Sequence, residues 1–302
     1  MTAMLPGYWP QQFAARARVG EPLARHTSWH VGGPAEVFFE PRDSADLAAL
    51  LAALAPEVPV TFLGLGSNVL VRDGGIRGVV VCTHGGLDRL ERADDAQVRA
   101  EAGVPCGRLA RQCVSWQLGP ADFFAGIPGT VGGALAMNAG AFGGETWPHV
   151  RRVEVVDRHG ARRIREAGEY RYGYRTLTPP APAEWFLAAW FRFAPQPAAS
   201  SASLRALLDR RRDSQPIGAW SGGSTFVNPP GDHAARLIES AGLKGFRIGD
   251  AAVSDKHANF LVNDGAATSA DLEQLIRHIQ TVVQAVHGVA LDTEVRILGE
   301  PA

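Results

Sequence analysis

The sequence predicts an α+β fold, rich in strands through about its first 195 residues and mixed after that. Three observations carry this. Short apolar runs closed by glycine and proline recur between residues 35 and 193, the pattern of strands ended by turns. Within that span only 44–54 and 107–119 show helical spacing. The last third holds the clearest helix of the chain, 268–288, set among short strands.

The elements follow in order. "AEVFFE" (35–40) reads as a strand, and "SADLAALLAAL" (44–54) as a helix capped by Asp43 or Ser44. "VTFLGLGSNVLVRDGGIRGVVV" (60–81) reads as strand, tight glycine turn, strand, turn and strand. "QVRAEAG" (97–103) is a strand, and "GRLARQCVSWQLG" (107–119) is a helix ending at Gly119. Residues 150–160, 161–166 and 184–193 are strands, and "APQPAAS" (194–200) is the best linker. A helix is expected over 203–213. In 268–288 the stripe is Leu272, Leu275, Ile276, Ile279, Val282, Val283 and Val286, opened by a capping box of Thr268 and Asp271.

Composition narrows the function. The chain has 302 residues, 46% hydrophobic and 20% charged, which suits one large globular domain or two ordinary ones. A formal net charge of -1 leaves no global electrostatic case for nucleic acid. Arginine clusters at 162, 163 and 165 and at 210–212 read first as solvated faces, second as an anion site. No apolar run reaches the roughly 20 residues of a membrane span. The first twenty residues read as no secretory leader. Cys82, Cys106 and Cys113 form no CxxC, as expected of buried reduced thiols in a cytoplasmic protein. Nine histidines without metal-ligand spacing predict no metal.

Two glycine clusters carry the chemistry. In "LGLGSNVLV" (63–71) a strand follows the glycines, so no helix dipole is available. The turn around Gly64 and Gly66 reads either as a plain hairpin or as a nest of N–H groups for an anion, with Ser67 and Asn68 adding donors. "AGIPGTVGGALAMNAGAFGGE" (125–145) sets Pro128 among Gly129, Gly132, Gly133 and Gly140, with Thr130 and Asn138 as hydrogen-bonding side chains. The bland reading is close packing of small residues on a sheet. The sharper one is a phosphate-bearing ligand across both clusters, such as FAD or NAD(P).

These stretches occur in order with "YGYR" (172–175), "GSTFVNPPG" (223–231), "AGLKGFRIGDAAVSDKHANFLVN" (241–263) and "EVRILGE" (294–300). Together they resemble the UDP-N-acetylenolpyruvoylglucosamine reductase family over roughly residues 20 to 300. The resemblance implies an FAD-binding region of two subdomains of the vanillyl-alcohol-oxidase type over 21–199, with a break near 84–96. A smaller α+β substrate-binding domain would follow over 200–302, and residues 1–20 would be an N-terminal extension. It further implies a cytoplasmic monomer with non-covalent FAD, NADPH as co-substrate and the enolpyruvyl UDP-sugar as substrate, without nucleic-acid or membrane partners. His26, His30 and His84 raise the covalent flavin attachment seen elsewhere on this fold, which this family does not use.

The family's reaction delivers a hydride to the enolpyruvyl double bond, leaving an enolate-like carbanion that needs charge stabilisation and a proton. By resemblance Ser224 is the proton donor, Arg175 the cation facing the enolate, and Glu294 a partner sharing a proton or hydrogen bond with it. Tyr174 and Asn228 face the UDP-sugar; Lys256, and more weakly Arg212 and Gln215, reach its diphosphate. Taken singly, Ser224 reads as a turn residue, Arg175 as a surface ion-pair residue and Glu294 as a solvated acid. Three departures stand out: His30 and Val227 replace the usual arginine and lysine, and no insertion separates Arg175 from "GST". The chain looks like the shorter subclass. An FAD-dependent sugar or alcohol oxidase on the same fold, and a flavin- or nucleotide-binding module without turnover, are the competing readings.

Overall fold

The computed structural model describes residues 4–302, and the chain forms two compact units. The first gathers the chain up to Gly20 with Val37–Leu65 and Gly78–Asp209; the second gathers Glu21–Glu36, Gly66–Arg77 and Arg210–Ala302. The sequence reading places its division at 199/200. Along the chain the segments of the two units alternate, because strands Pro34–Phe39 and Ile76–Cys82 each carry the chain from one unit into the other. An apolar run shows that a strand is buried but not which elements cover its two ends. The stretch expected to be a linker begins as a strand, Ala194–Pro195, paired with Leu118–Gly119.

The first unit is built on a five-stranded antiparallel sheet. Its order is Arg162–Glu166, Val150–Asp157, Glu184–Arg192, Gln97–Glu101, Leu90–Arg92. Val153, Val155, Ala189 and Phe191 are buried in one core with Leu109, Ala110 and Cys113 of a helix, Cys106–Ser115. That helix ends earlier than Gly119. Gln117 takes a left-handed φ of 55°, and Leu118–Gly119 leaves as a strand. A second core packs Phe39 against Trp9 and Phe13 and is closed by the helix Ser44–Ala53, whose cap is Asp43 accepting from Asp46 N–H at 2.8 Å. The arginines at 162, 163 and 165 pair with Glu154, Asp157, Glu184 and Glu169 on the sheet surface. All three cysteines are free and buried; burial pushes the Cys82 thiol up to about 11 and the Cys113 thiol up to about 12.

The second unit is a four-stranded antiparallel sheet, Trp220–Ser224, Phe260–Asn263, Ala251–Val253, Arg247–Ile248. Two helices, Ala234–Ser240 and Ser269–His287, share its core. The longer one opens with the expected Thr268/Asp271 capping box and closes on Gly288 at φ 69°. Its stripe buries Leu272, Leu275, Ile276, Ile279 and Val283. Val286 departs from the expected stripe at 57% exposure: the helix runs past the side chains that cover its apolar face. The segment Glu21–Glu36 is stitched into this unit by Trp29. Its buried indole N–H donates to Leu261 O at 2.8 Å, and Asn263 Nδ2 donates to Trp29 O at 2.9 Å.

Ile279→Ala should cost about 2–5 kcal/mol, the loss expected for emptying a fully buried aliphatic site. Val286→Ala should stay within about 0.5 kcal/mol. Urea unfolding of the two variants checks the pair, and equal losses would contradict the burial described.

Candidate functional site

The strands on either side of the first glycine turn do not pair with each other. Val60–Leu63 pairs in parallel with Ile76–Cys82, and Val69–Val71 pairs in parallel with Arg296–Leu298. The turn is therefore not a hairpin. It ends with Gly66 at φ 61°, buried against the backbone of His26 and Thr27, where a β-carbon has no room. Among the described residues the N–H groups of Gly66 and Ser67 donate to no protein acceptor. Consecutive N–H groups at a left-handed residue form a concavity for an anion.

Within the first unit, Gly64 lies directly against Thr130: a β-carbon at 64 would overlap its hydroxyl. The two glycine clusters thus touch. Thr130 caps the short helix Val131–Ala136, its Oγ1 accepting from Gly133 N–H at 3.4 Å. The amides of this stretch divide into two groups. Val131 N–H donates to Val104 O and Gly132 N–H to Ala102 O, both at 2.8 Å. Those two groups anchor the stretch to the sheet. The N–H groups of Gly129 and Thr130, beside exposed Pro128, have no protein acceptor among the described residues.

Asn138 also differs from its expected role at the cofactor. It is fully buried at φ 48°, with Nδ2 donating to Glu145 Oε2 at 3.0 Å and to Gly173 O at 2.9 Å, and Oδ1 accepting from Trp147 N–H at 3.0 Å. Both amide protons are spent inside the protein, as burial of an amide demands. Their effect is to hold the hairpin of Arg171–Gly173 and Thr176–Thr178, whose tip carries Tyr174 and Arg175. Arg175, at φ 55°, donates from Nη2 to Gly140 O at 3.0 Å, and its guanidinium carbon sits 5.2 Å from the centre of the half-exposed Tyr174 ring. Trp147 stacks on Tyr172 at 5.9 Å and steadies the same hairpin. Gly140, expected at the cofactor, supplies the carbonyl that holds Arg175.

In the second unit, Ser224 ends the strand Trp220–Ser224 just after an irregularity in register between Ser221 and Ser224, with Gly223 at φ 77°. A bulge of this kind turns a side chain out of the alternation of its strand. The chain then runs beside 292–295. Glu294 N–H donates to Thr225 O at 2.8 Å and Val227 N–H to Asp292 O at 2.9 Å. Ser224 and Glu294 are therefore on adjacent segments. Asn68 joins the glycine turn to them: its Nδ2 donates to Glu294 O at 3.1 Å, and Arg296 N–H donates to its own carbonyl at 3.0 Å.

The remaining expected residues are more dispersed. Asn228 Oδ1 accepts from Ala234 N–H at 3.0 Å, which commits that oxygen to the start of a helix. Lys256 is exposed, its ammonium bonded to Arg212 O, and Gln215 accepts from Arg211 Nε at 2.6 Å. His30, the departure from the family's arginine, stacks on Trp220 at 4.3 Å. Asn259 was missed by the sequence reading. It is buried and clamps the chain right after Ser224, and its only signal was its place in "DKHANF". Among the described residues no cluster of three or more His, Cys, Asp or Glu could hold a metal, and no helix is long and apolar enough to cross a membrane.

Known proteins resemble this chain along almost its whole length. The FAD binding domain family matches residues 35–164, and the C-terminal domain of UDP-N-acetylenolpyruvoylglucosamine reductase matches 215–298. The UDP-N-acetylenolpyruvoylglucosamine reductase of Alkalilimnicola ehrlichii is 58% identical over 281 residues, 93% of this chain and 94% of that protein. That of Methylococcus capsulatus is 56% identical, over 93% and 92%. A crystal structure of the reductase from Thermus caldophilus superposes with a TM-score of 0.80 at 32% identity, covering 94% of this chain and all of that one.

Two outcomes follow from the buried polar groups. Among the described residues Thr225 Oγ1 is buried without a hydrogen-bond partner, so Thr225→Val should leave stability unchanged or raise it by about 1 kcal/mol, read by urea unfolding. Burial holds the His149 and His257 rings below their ordinary pKa of about 6.5, so the folded protein binds protons less readily than the unfolded chain. The stability they contribute is complete above about pH 6.5 and is lost as pH falls through the lowered values. The melting temperature should fall on acidification below about pH 6.5, and less steeply once both histidines are replaced by glutamine.

Proposed function

Because the chain belongs to the UDP-N-acetylenolpyruvoylglucosamine reductase family, we propose that Ser224, Glu294 and Arg175 are the groups with which it performs that family's reaction. The protein is an FAD-dependent oxidoreductase that reduces UDP-N-acetylglucosamine enolpyruvate with NADPH, in peptidoglycan precursor synthesis. The observation that carries the residue assignment lies in the second unit. Asn68 ties the anion-binding turn to Glu294, and Glu294 is bonded through Thr225 to the segment bearing Ser224.

The residues present fit FAD. In the first unit the N–H groups of Gly129 and Thr130 are donors without protein acceptors among the described residues, and in the second unit so are those of Gly66 and Ser67. Either pair taken by itself suits the negative oxygens of a diphosphate. When bound, FAD supplies the hydride that it receives from NADPH. No covalent bond to the protein is needed for this grip, and we read the cofactor as non-covalent.

The chain's own part is to place charge and a proton. A serine hydroxyl is a weak acid, so Ser224 acts only where its backbone aims it, and the bulge before it provides that aim. Arg175 is held by Gly140 O and would offer the substrate a fixed cation, worth more in a dry site than in water. Glu294, its main chain fixed on both sides, would share a hydrogen bond with the developing enolate. Tyr174, Asn228 through its amide, and Lys256 would meet the UDP-sugar. The support for these contacts is the matching motifs. We also read the enzyme as a cytoplasmic monomer, which light scattering and cell fractionation would check.

Ser224→Ala should bleach with NADPH at the wild-type rate, yet return to yellow on mixing with the enolpyruvyl substrate about 100- to 10,000-fold more slowly. Rapid-mixing absorbance reads both steps. Reoxidation at the wild-type rate would remove Ser224 from this role.

A further inference from the structure

The segment that follows Ser224 is held from one side by a single buried side chain. Asn259 is 3% exposed. Its Oδ1 accepts from Phe226 N–H at 2.9 Å, its Nδ2 donates to Phe226 O at 2.8 Å, and its own carbonyl accepts from Thr225 N–H at 2.8 Å. The amide thus continues the pairing past the end of the strand at Ser224, at Phe226, two residues beyond the slip in register between Ser221 and Ser224. Buried main-chain groups that leave a sheet need such a partner. An amide side chain offers its donor and its acceptor on two separate atoms side by side, which matches the N–H and C=O of one residue; a carboxylate or an aliphatic group cannot. The opposite side of the same segment is bonded to 292–295, so Asn259 and the segment bearing Glu294 grip Thr225 and Phe226 between them.

We infer that Asn259 is a positioning residue for proton delivery by Ser224. The inference rests on the reading of Ser224 as proton donor. Asn259 touches neither substrate nor cofactor in this account; it fixes the main chain that aims the serine hydroxyl. A displacement of about 1 Å at a reacting group can cost about 100-fold.

The test uses the full-length holoenzyme and five variants: Asn259→Ala, Asn259→Asp, Asn259→Asp with His257→Gln, Ser224→Ala and the double alanine variant. Asn259→Ala should bleach with NADPH normally and reoxidise with substrate about 10- to 100-fold more slowly. Hydrogen exchange, independent of turnover, should show the Phe226 amide losing protection. In the Ser224→Ala background the same change should add little further slowing, because both act at one step. Asn259→Asp lacks the donor until its carboxyl is protonated, so its reoxidation rate relative to wild type should rise as pH falls. His257, whose Nδ1 accepts from Asn259 N–H, is the ring in contact with this turn, and the variants Asn259→Asp and Asn259→Asp with His257→Gln compared at each pH separate its titration from that of the new carboxyl.

Equal slowing of both half-reactions, wild-type reoxidation in folded Asn259→Ala, or full additivity with Ser224→Ala would overturn the inference. If Asn259→Ala does not fold, a flat pH ratio for Asn259→Asp overturns it instead. Fast reoxidation of Ser224→Ala by itself would sink the reading of the serine, and the inference with it, and is seen separately from the other outcomes.

Discussion

The second unit is organised around the main chain of one short segment, residues 292–296. Because Val69–Val71 pairs with Arg296–Leu298 and not with the strand that precedes the glycine turn, the N–H groups of Gly66 and Ser67 are not used in a hairpin ladder. Because Glu294 N–H is bonded to Thr225 O, the same segment sets the place of the serine loop. Asn68 closes the arrangement by binding the Glu294 carbonyl. A shift of this segment would move the anion turn, the acid and the hydroxyl together.

The first unit solves a parallel problem with two reciprocal bonds. Asn138 donates to Gly173 O, and Arg175 donates to Gly140 O. One comes from the glycine-rich stretch to the hairpin and the other returns. A guanidinium on a long side chain loses much rotamer freedom when it is held in one place. The carbonyl of Gly140 and the face of Tyr174 restrict Arg175 before any substrate arrives. In the role proposed for Arg175 the fixed position matters, because stabilisation of developing charge depends on groups that need not reorganise.

Buried amides recur as the holding element in both units. Asn138, Asn259 and Asn263 each satisfy main-chain groups that the sheets leave open: at the loop after the helix Val131–Ala136, at Phe226 just past Ser224, and at the entry of the segment carrying Trp29. Glycine and proline open these gaps by breaking regular pairing, and asparagine closes them, because it alone among uncharged side chains of that length has both a donor and an acceptor.

The sequence alone determined the longer helices and the main strands and the chemistry expected of the motifs, but not the short helices Val131–Ala136 and Ala234–Ser240, whose few residues show too little periodicity. The period of Leu272, Leu275, Ile276 and Ile279, the Thr268 cap and the Gly288 stop are local facts, and local facts survive folding. The ordered motifs placed Ser224 and Glu294 in one reaction, and the tertiary structure sets them on neighbouring segments. Only the tertiary structure decided which amides of the glycine stretch are spent, that Asn138 serves the fold, and that the segments of the two units alternate along the chain through two strands. Each of these depends on a partner distant in sequence. A glycine or an asparagine announces that the backbone will need room or a hydrogen bond, while the group that fills that need is chosen by how the strands come to lie.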